Sequence, residues 1–522
     1  MKKLTTKQLE VISSNSGMKR YLTSLSETVP HTQRSWLYEG KTSDWVLNSW
    51  KSKLSQLEHG TPYERLVFQF DTSQLEKWGP QGGHKPISDL MEIVTAGFNE
   101  HPPVPEAFSS REWIGAKQDA IKLLRSVGCY SLRPASYSSV IDDMRARDTL
   151  ESNSGWPLFT RRNKREVILS SIHDAESGKW REYPAIALFR NYNGKTRLVW
   201  MYPMATNLVE GSFFQVIFKK LIASRLNVIA PWIGFDHVRY KVTELYSSRE
   251  NVLLASDFSA TDEHFTINST LEVAEVLEQC FQKQYRQALR ESLMHMHRIP
   301  LVISATEFID GLHGVSSGSN WTNFVETIFD IILGFYVARI THNAINCAYA
   351  IGDDMLWVQR KSLNIEIPSF SSRLGVRVGQ VINPEKLSNS QNKVKTLQRL
   401  FVRGEFRPDG TLRAVYPTIR ALNSSIFPER FHSPAKWSAD MFSARQFMIL
   451  ENCVDHPLFE DFVKFVCKGN RHLIPFAKKS RHELDKITRE SKLLPGLNPS
   501  YNQERKDTSL SSFTSIQLAS KL

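Results

Sequence analysis

Residues 347–358 read Cys-Ala-Tyr-Ala-Ile-Gly-Asp-Asp-Met-Leu-Trp-Val, two apolar runs closing on a Gly-Asp-Asp turn. Apolar residues on either side of a glycine that tolerates a left-handed backbone predict a β-hairpin with a tight turn. The same tripeptide in a polar loop would be an ordinary surface turn. Here the flanks pull the turn toward a core. Two adjacent acids that lose hydration there repel one another unless cations lie between them. This hairpin therefore constrains the fold and the chemistry together.

A second acidic site precedes it. Asn251-Val-Leu-Leu-Ala-Ser-Asp257 reads as a strand ending in a carboxylate, and Asp262 follows in the same segment. Ser269 and Glu272 have capping-box spacing, with Leu271, Val276, Leu277, Cys280 and Phe281 behind them at helical intervals, so a helix is expected to begin there. Asp257 would sit at a strand exit, on a rigid scaffold suited to chemistry. It lies 353 − 257 = 96 residues from the hairpin, so the two sites meet only by folding. Three converging carboxylates suit two Mg²⁺ ions about 4 Å apart, the arrangement that drives in-line phosphoryl transfer. Mg²⁺ is a hard ion that prefers such oxygens, and Mn²⁺ is expected to substitute. Asp257 and Asp353 are expected as the main bridging ligands, with Asp354 in support.

Between the acidic sites, Ser316, Ser317, Gly318, Ser319 and Asn320 precede a helical pattern at Phe324, Ile328, Ile331, Ile332 and Phe335. A loop feeding a helix N-terminus presents backbone N–H groups to anions and ribose oxygens. Taken alone, this is an N-capped core helix; its position between two acidic motifs favours a binding role. Upstream, the segment from Arg190 to Trp200 reads as a hairpin ribbon on which Lys195 and Arg197 would grip a triphosphate. By itself a solvated charged hairpin is the commoner case. Downstream, Ile382-Asn-Pro-Glu-Lys386 offers a lysine that acts as general acid if it reaches a leaving pyrophosphate, and is otherwise a surface lysine.

A chain of 522 residues exceeds what one compact core sustains, so two or three cooperating subdomains are expected. Basic residues and turn formers gather between about Pro102 and Pro203. Short strands alternate with amphipathic helices from about Val252 to Phe401, and spaced apolar residues predict a mainly helical region from Arg407 to about Leu494. The last stretch, rich in Ser, Gln, Lys and Thr, is expected to be mobile or laid over the surface. The 66 Lys and Arg against 54 Asp and Glu give a formal charge of +12, which suits a polyanionic partner but is equally met in soluble proteins without one. The five cysteines show no Cys-x-x-Cys pair, apolar runs fall short of a membrane span, and the basic start lacks a secretory apolar stretch. A chain kept in the cytosol or inside a particle is expected.

The order and wording of these segments resemble viral RNA-dependent RNA polymerases, most closely the partitivirus and picobirnavirus group with double-stranded RNA genomes. From about Gly155 to Gly404, SDFSATD resembles motif A, SSGSNWTNFVET motif B, AIGDD motif C, NPEK motif D and LQRLFVRGEF motif E. GKTRLVWMYP is similar to motif F and SNSGWP to the fingers motif that guides template. All seven in order are highly specific. The resemblance implies an α+β closed right hand: an N-terminal arm (1–65), fingers (66–250), palm (251–405, with an insertion at about 266–311), helical thumb (406–497) and C-terminal tail (498–522). It implies that Asp257, Asp353 and Asp354 bind metal and that Asp262 recognises the ribose 2′-hydroxyl, the group that separates RNA from DNA precursors. Ser317, Gly318, Thr322 and Asn323 would shape the nucleotide site, Lys195 and Arg197 would meet the triphosphate, and Lys386 would be the motif D lysine. Ser154, Gly155 and Pro157 would contact template. Expected partners are NTPs, single-stranded RNA template, duplex RNA product and a viral capsid protein, without membrane, in the virion interior or host cytoplasm. One position departs from the pattern: Glu326 stands where motif B commonly carries Asn or Asp, and it is expected to orient Asp262 through a bridging water or proton.

Three other functions share parts of this pattern. A reverse transcriptase uses the same palm, but its acidic hairpin usually carries an aromatic residue two positions ahead of the Asp-Asp pair, with a variable residue between, where Gly352 directly precedes it here. A non-catalytic RNA-binding or capsid-associated protein needs no acidic hairpin. A two-metal nuclease needs no separate ribose-reading and triphosphate-gripping segments.

Overall fold

The computed structural model describes residues 1–361, 367–382, 390–430, 435, 437–494, 496–497 and 508–522. The acidic strand and hairpin form one three-stranded antiparallel sheet: Asp354–Arg360 lies in the centre, between Asn251–Asp257 and Ile345–Ile351. All three strands bury most of their side chains. The helix Trp321–Ile340 packs along Ile345–Ile351 and against the helix Arg111–Ser126. Fifteen of its twenty residues are buried, so it is apolar on nearly every side, as a core helix must be. Trp321 is fully buried and its indole N–H donates to Ser292 Oγ at 2.9 Å. Burial of one such side chain contributes about 1.5–3 kcal/mol, and the hydrogen bond keeps its polar atom from subtracting from that.

The chain forms two compact units. The first comprises 1–28, 85–188 and 198–394; the second comprises 29–84, 189–197 and 395–522. The first holds the acidic sheet and a core built around Trp113, Phe329, Trp321 and Tyr336. A further five-stranded sheet runs in the order Lys2–Lys3, Glu307–Ile309, Leu301–Val302, Ala185–Tyr192, Lys195–Met201. The turn of its last hairpin, residues 189–197, is counted with the second unit.

The second unit is mainly helical, as the spacing of apolar residues predicts, with Thr418–Ile426, Ala439–Glu451, Phe459–Lys468 and Arg481–Lys492 as its longer C-terminal helices. Its core centres on Trp50, packed 4.8 Å from Phe462, with its indole N–H donating to Thr418 Oγ1 at 2.8 Å. Buried Asp71 accepts from Thr418 N, Thr418 Oγ1 and Ile419 N, which satisfies the start of that helix with a carboxylate.

Two local expectations differ from the structure. The helix after Asp262 is Ile267–Glu278, and Thr266 precedes it without a side-chain cap, so Ser269 and Glu272 form no capping box. Glu272 instead accepts from the Trp113 indole at 2.8 Å and pairs with Lys117 at 2.7 Å. The C-terminal stretch is not simply laid over the surface: Leu510, Phe513, Ile516 and Ala519 are buried in the second core. Buried Glu451 accepts from Thr514 N, Ser515 N and Ser515 Oγ, which fixes the start of the last helix.

Candidate active site

The register of the acidic sheet decides whether the three aspartates meet. Asp257 is the direct antiparallel partner of Asp354, and Ile351 is the partner of Asp354 on the other side. Residues opposed in this way have Cα atoms about 4.5–5.5 Å apart. The Phe258 N–H donates to Asp353 O at 3.3 Å, so the strand exit is tied to the hairpin turn itself. Asp353 is exposed, while Asp257 and Asp354 are half-buried. Gly352 takes the turn at φ +56°, and its N–H donates to Thr327 Oγ1 at 2.8 Å. A Cβ there would lie 2.7 Å from Asn323 Nδ2. The glycine thus lets the turn press against the helix Trp321–Ile340.

Two further acids stand on that helix beneath the turn. Glu326 and Asp330 are buried, and burial holds both carboxyls well above the usual carboxylate range. The charges of Asp262 and Asp353 push Glu326 further in the same direction, and those of Glu326, Asp353 and Asp354 do so for Asp330. Asp262 itself is exposed, and its backbone is fixed by Gly314, where a Cβ would come within 1.9 Å of Asp262 O.

The loop before the helix is tightly held. Gly318 passes so close to the preceding hairpin that a Cβ would lie 1.7 Å from Trp200 O. Ser317 is exposed and its Oγ accepts from Trp200 N at 3.3 Å, leaving its O–H to donate. Thr322 Oγ1 donates to Ser316 O at 2.5 Å. Asn323 is exposed, and its Oδ1 accepts from the Trp232 indole at 3.0 Å. Two backbone N–H groups at the helix start that the sequence leaves open to a ligand are already engaged: Asn320 N donates to Glu210 and Trp321 N to Ser319 Oγ. Side chains, and not those amides, face outward here.

The residues expected from the sequence to guide template adjoin the same framework. Ser154 is buried; its backbone N–H donates to Thr160 O at 2.7 Å, and its carbonyl accepts from Met204 N at 2.9 Å. Gly155 has φ +66°, and a Cβ would lie 2.4 Å from Tyr202 O. Pro157 follows in a cis peptide bond and is half-buried. Lys195 and Arg197 lie on the strand Lys195–Met201, in the part of the hairpin counted with the second unit. Lys386 lies outside the described residues.

Residues 192–413 match the family model of viral RNA-dependent RNA polymerases. The chain is an RNA-dependent RNA polymerase. A human picobirnavirus protein described as a potential RNA-dependent RNA polymerase is 26% identical over 481 residues, covering 88% of this chain and 86% of its own. The fold matches the crystal structure of a human picobirnavirus RNA-dependent RNA polymerase with a TM-score of 0.80 at 22% identity, over 99% of both chains. The insertion-loop deletion mutant of that polymerase matches at 0.78 and 21% identity, again over 99% of both.

Polymerases of this family depend on divalent metal. Among the described residues no three carboxylate, imidazole or thiol groups form a ready-made cage. The donor set nevertheless fits such an ion, because Mg²⁺ retains waters and takes phosphate oxygens from substrate, so a few carboxylates at one edge suffice. Among the described residues no helix is long and apolar enough to cross a membrane.

Sequence reasoning missed Glu210, Asn207 and Asp330. Glu210 and Asn207 sit in a mainly apolar helix, Met204–Ser224, and two of the three donors to Glu210, Ser319 and Asn320, come from a distant segment. An acid embedded in an apolar run was the available signal.

Proposed function

We propose that this polymerase joins ribonucleotides on an RNA template through Asp257, Asp353 and Asp354, which hold two Mg²⁺ ions, with Mn²⁺ able to replace them. The observation that carries this is the register that opposes Asp257 to Asp354 beside the exposed Asp353. When bound, such a metal pair supplies activation of the attacking 3′-hydroxyl and neutralisation of charge on the leaving pyrophosphate. The chain's own residues do the rest. Asp262 accepts a hydrogen bond from the ribose 2′-hydroxyl. Ser317 donates its free O–H toward the nucleotide, while Gly318, Thr322 and Asn323 shape the wall beside it. Ser154, Gly155 and Pro157 guide the template, Lys195 and Arg197 take the triphosphate, and Lys386 protonates the leaving group. The work would proceed beside a capsid protein, in the virion interior or host cytoplasm, with single-stranded RNA copied to duplex; the likeness to a potential RNA-dependent RNA polymerase supports the copying of RNA.

Purified protein incubated with a short unprimed RNA, four NTPs and Mg²⁺ or Mn²⁺ tests the activity, the metal and the sugar together. Incorporation of NTPs and not dNTPs, abolished by a chelator, is expected. Equal use of dNTPs would favour a reverse transcriptase, and chelator-resistant incorporation would contradict the metal assignment.

A further inference from the structure

Glu210 is buried in the first turns of the helix Met204–Ser224, 109 residues before Ser319, and no motif of the sequence includes it. Its carboxylate is an acceptor for three donors. Oε1 accepts from Asn320 N at 3.0 Å and from Asn207 Nδ2 at 2.9 Å, and Oε2 accepts from Ser319 Oγ. The two loop residues it holds directly follow Ser317 and Gly318. Asn207 adds a second clamp on the same loop, since its Nδ2 also reaches Gly318 O at 3.2 Å and its carbonyl accepts from Asn320 Nδ2 at 3.0 Å.

The other end of the network reaches the template-guiding segment. Arg162 Nη2 donates to Asn207 Oδ1 at 2.8 Å, and Arg162 Nε donates to Asn153 O at 3.0 Å, one residue before Ser154. Met204, at the start of the Glu210 helix, donates its N–H to Ser154 O. One buried carboxylate and one buried amide therefore connect two loops that are more than 150 residues apart in sequence.

A buried acid is costly to desolvate, and here burial pushes the Glu210 carboxyl up to about 7. The hydrogen bonds from Ser319, Asn320 and Asn207 and the charge of Arg162 act against that rise. Tyr202, buried nearby, and Arg162 are both titratable groups whose shifts involve Glu210. An apolar residue would pack in this place without that cost; three acceptor sites spread over two oxygens are what a carboxylate provides, and its amide keeps two of them on one oxygen.

We infer that Glu210 is a positioning residue for nucleotide binding: its carboxylate fixes the Ser317–Gly318 loop and, through Asn207 and Arg162, couples that loop to the template-guiding segment around Ser154. This rests on the nucleotide-binding role proposed above for Ser317 and Gly318. Glu210 touches no substrate; it sets where the loop stands before the nucleotide arrives. Its loss should therefore weaken ground-state binding and spare the chemical step.

The test compares the full-length parent, Glu210→Ala, Glu210→Gln, Arg162→Ala and Ser319→Ala by steady-state incorporation of NTPs on a short RNA, with thermal unfolding measured alongside. Glu210→Ala is expected to raise the KM for NTP about tenfold or more while kcat stays within about threefold, the size of one lost hydrogen bond to a charged group. Glu210→Gln keeps one oxygen acceptor for Asn207 and Asn320 and turns an NH₂ toward the Ser319 hydroxyl, so it should return KM to within about threefold of the parent. Arg162→Ala, which removes the hydrogen bonds to Asn207 and Asn153, should also raise KM. Unchanged KM in Glu210→Ala, equal losses in kcat and kcat/KM, or no rescue by glutamine would overturn the inference; unchanged KM in Arg162→Ala would overturn the coupling. Should Glu210→Ala yield no folded protein, Ser319→Ala decides by the same KM and kcat criteria, since it removes one donor and leaves the carboxylate with two. An inactive parent would instead count against the polymerase activity itself, and so separates the two failures.

Discussion

At the scale of single residues, the site is a contrast between exposed and buried acids. Asp353 and Asp262 reach solvent, whereas Glu326 and Asp330 are sealed beneath the turn with their carboxyls shifted well upward by burial. Glu326 stands where an Asn or Asp was expected, and Asp262 is close enough for its charge to raise Glu326 further. If Asp262 reads the ribose 2′-hydroxyl, Asp262→Ala should lose most of its preference for NTPs over dNTPs, by roughly tenfold or more, the value of one buried polar contact to a substrate hydroxyl. Single-nucleotide incorporation with paired NTP and dNTP substrates measures this ratio; an undiminished preference would remove Asp262 and its Glu326 support from sugar selection.

At the scale of elements, the hairpin, the strand before it and the core helix were legible because each is specified locally. Apolar alternation and Gly352 define the turn, and the Phe324, Ile328, Ile331 and Ile332 spacing defines a helix whatever surrounds it. The loop between them was legible only as a loop. Gly318 shows why: what requires glycine is the Trp200 carbonyl, 118 residues upstream, and no local pattern records that approach. Gly318→Ala should displace the loop or destabilise it by about 1–3 kcal/mol, the usual cost of forced overpacking. The expected result is at least a tenfold loss of incorporation, measured with thermal unfolding; an alanine variant with parental activity and stability would show that the loop moves freely from the hairpin. The Ser269–Glu272 spacing failed for the opposite reason. Its local signal was sound, but the Trp113 indole and Lys117 ammonium, both from a distant helix, claimed the glutamate. The tail held a readable clue in Leu510, Phe513, Ile516 and Ala519, apolar residues spaced three apart, which the surrounding serines obscured.

At the scale of the whole molecule, neither compact unit is continuous in sequence. Residues 29–84 and 189–197 leave the unit that holds the acidic sheet and return to the company of residues 395–522. Composition changes too little at these crossings to announce them, because membership is decided by long-range packing such as Trp50 on Phe462 and Asp71 on Thr418. Asp257, Asp353 and Asp354, by contrast, all lie within one unit, on one sheet and its hairpin turn, so their convergence needs only the β-register that pairs Asp257 with Asp354. The direct measurement is incorporation of labelled NTP by Asp353→Ala on a short RNA with Mg²⁺, set beside its affinity for the same RNA. Loss of incorporation by about a thousandfold or more, with template binding within about threefold of the parent, is expected of a residue that acts on the reacting phosphate alone. Incorporation comparable to the parent would mean that the three aspartates do not form the catalytic centre.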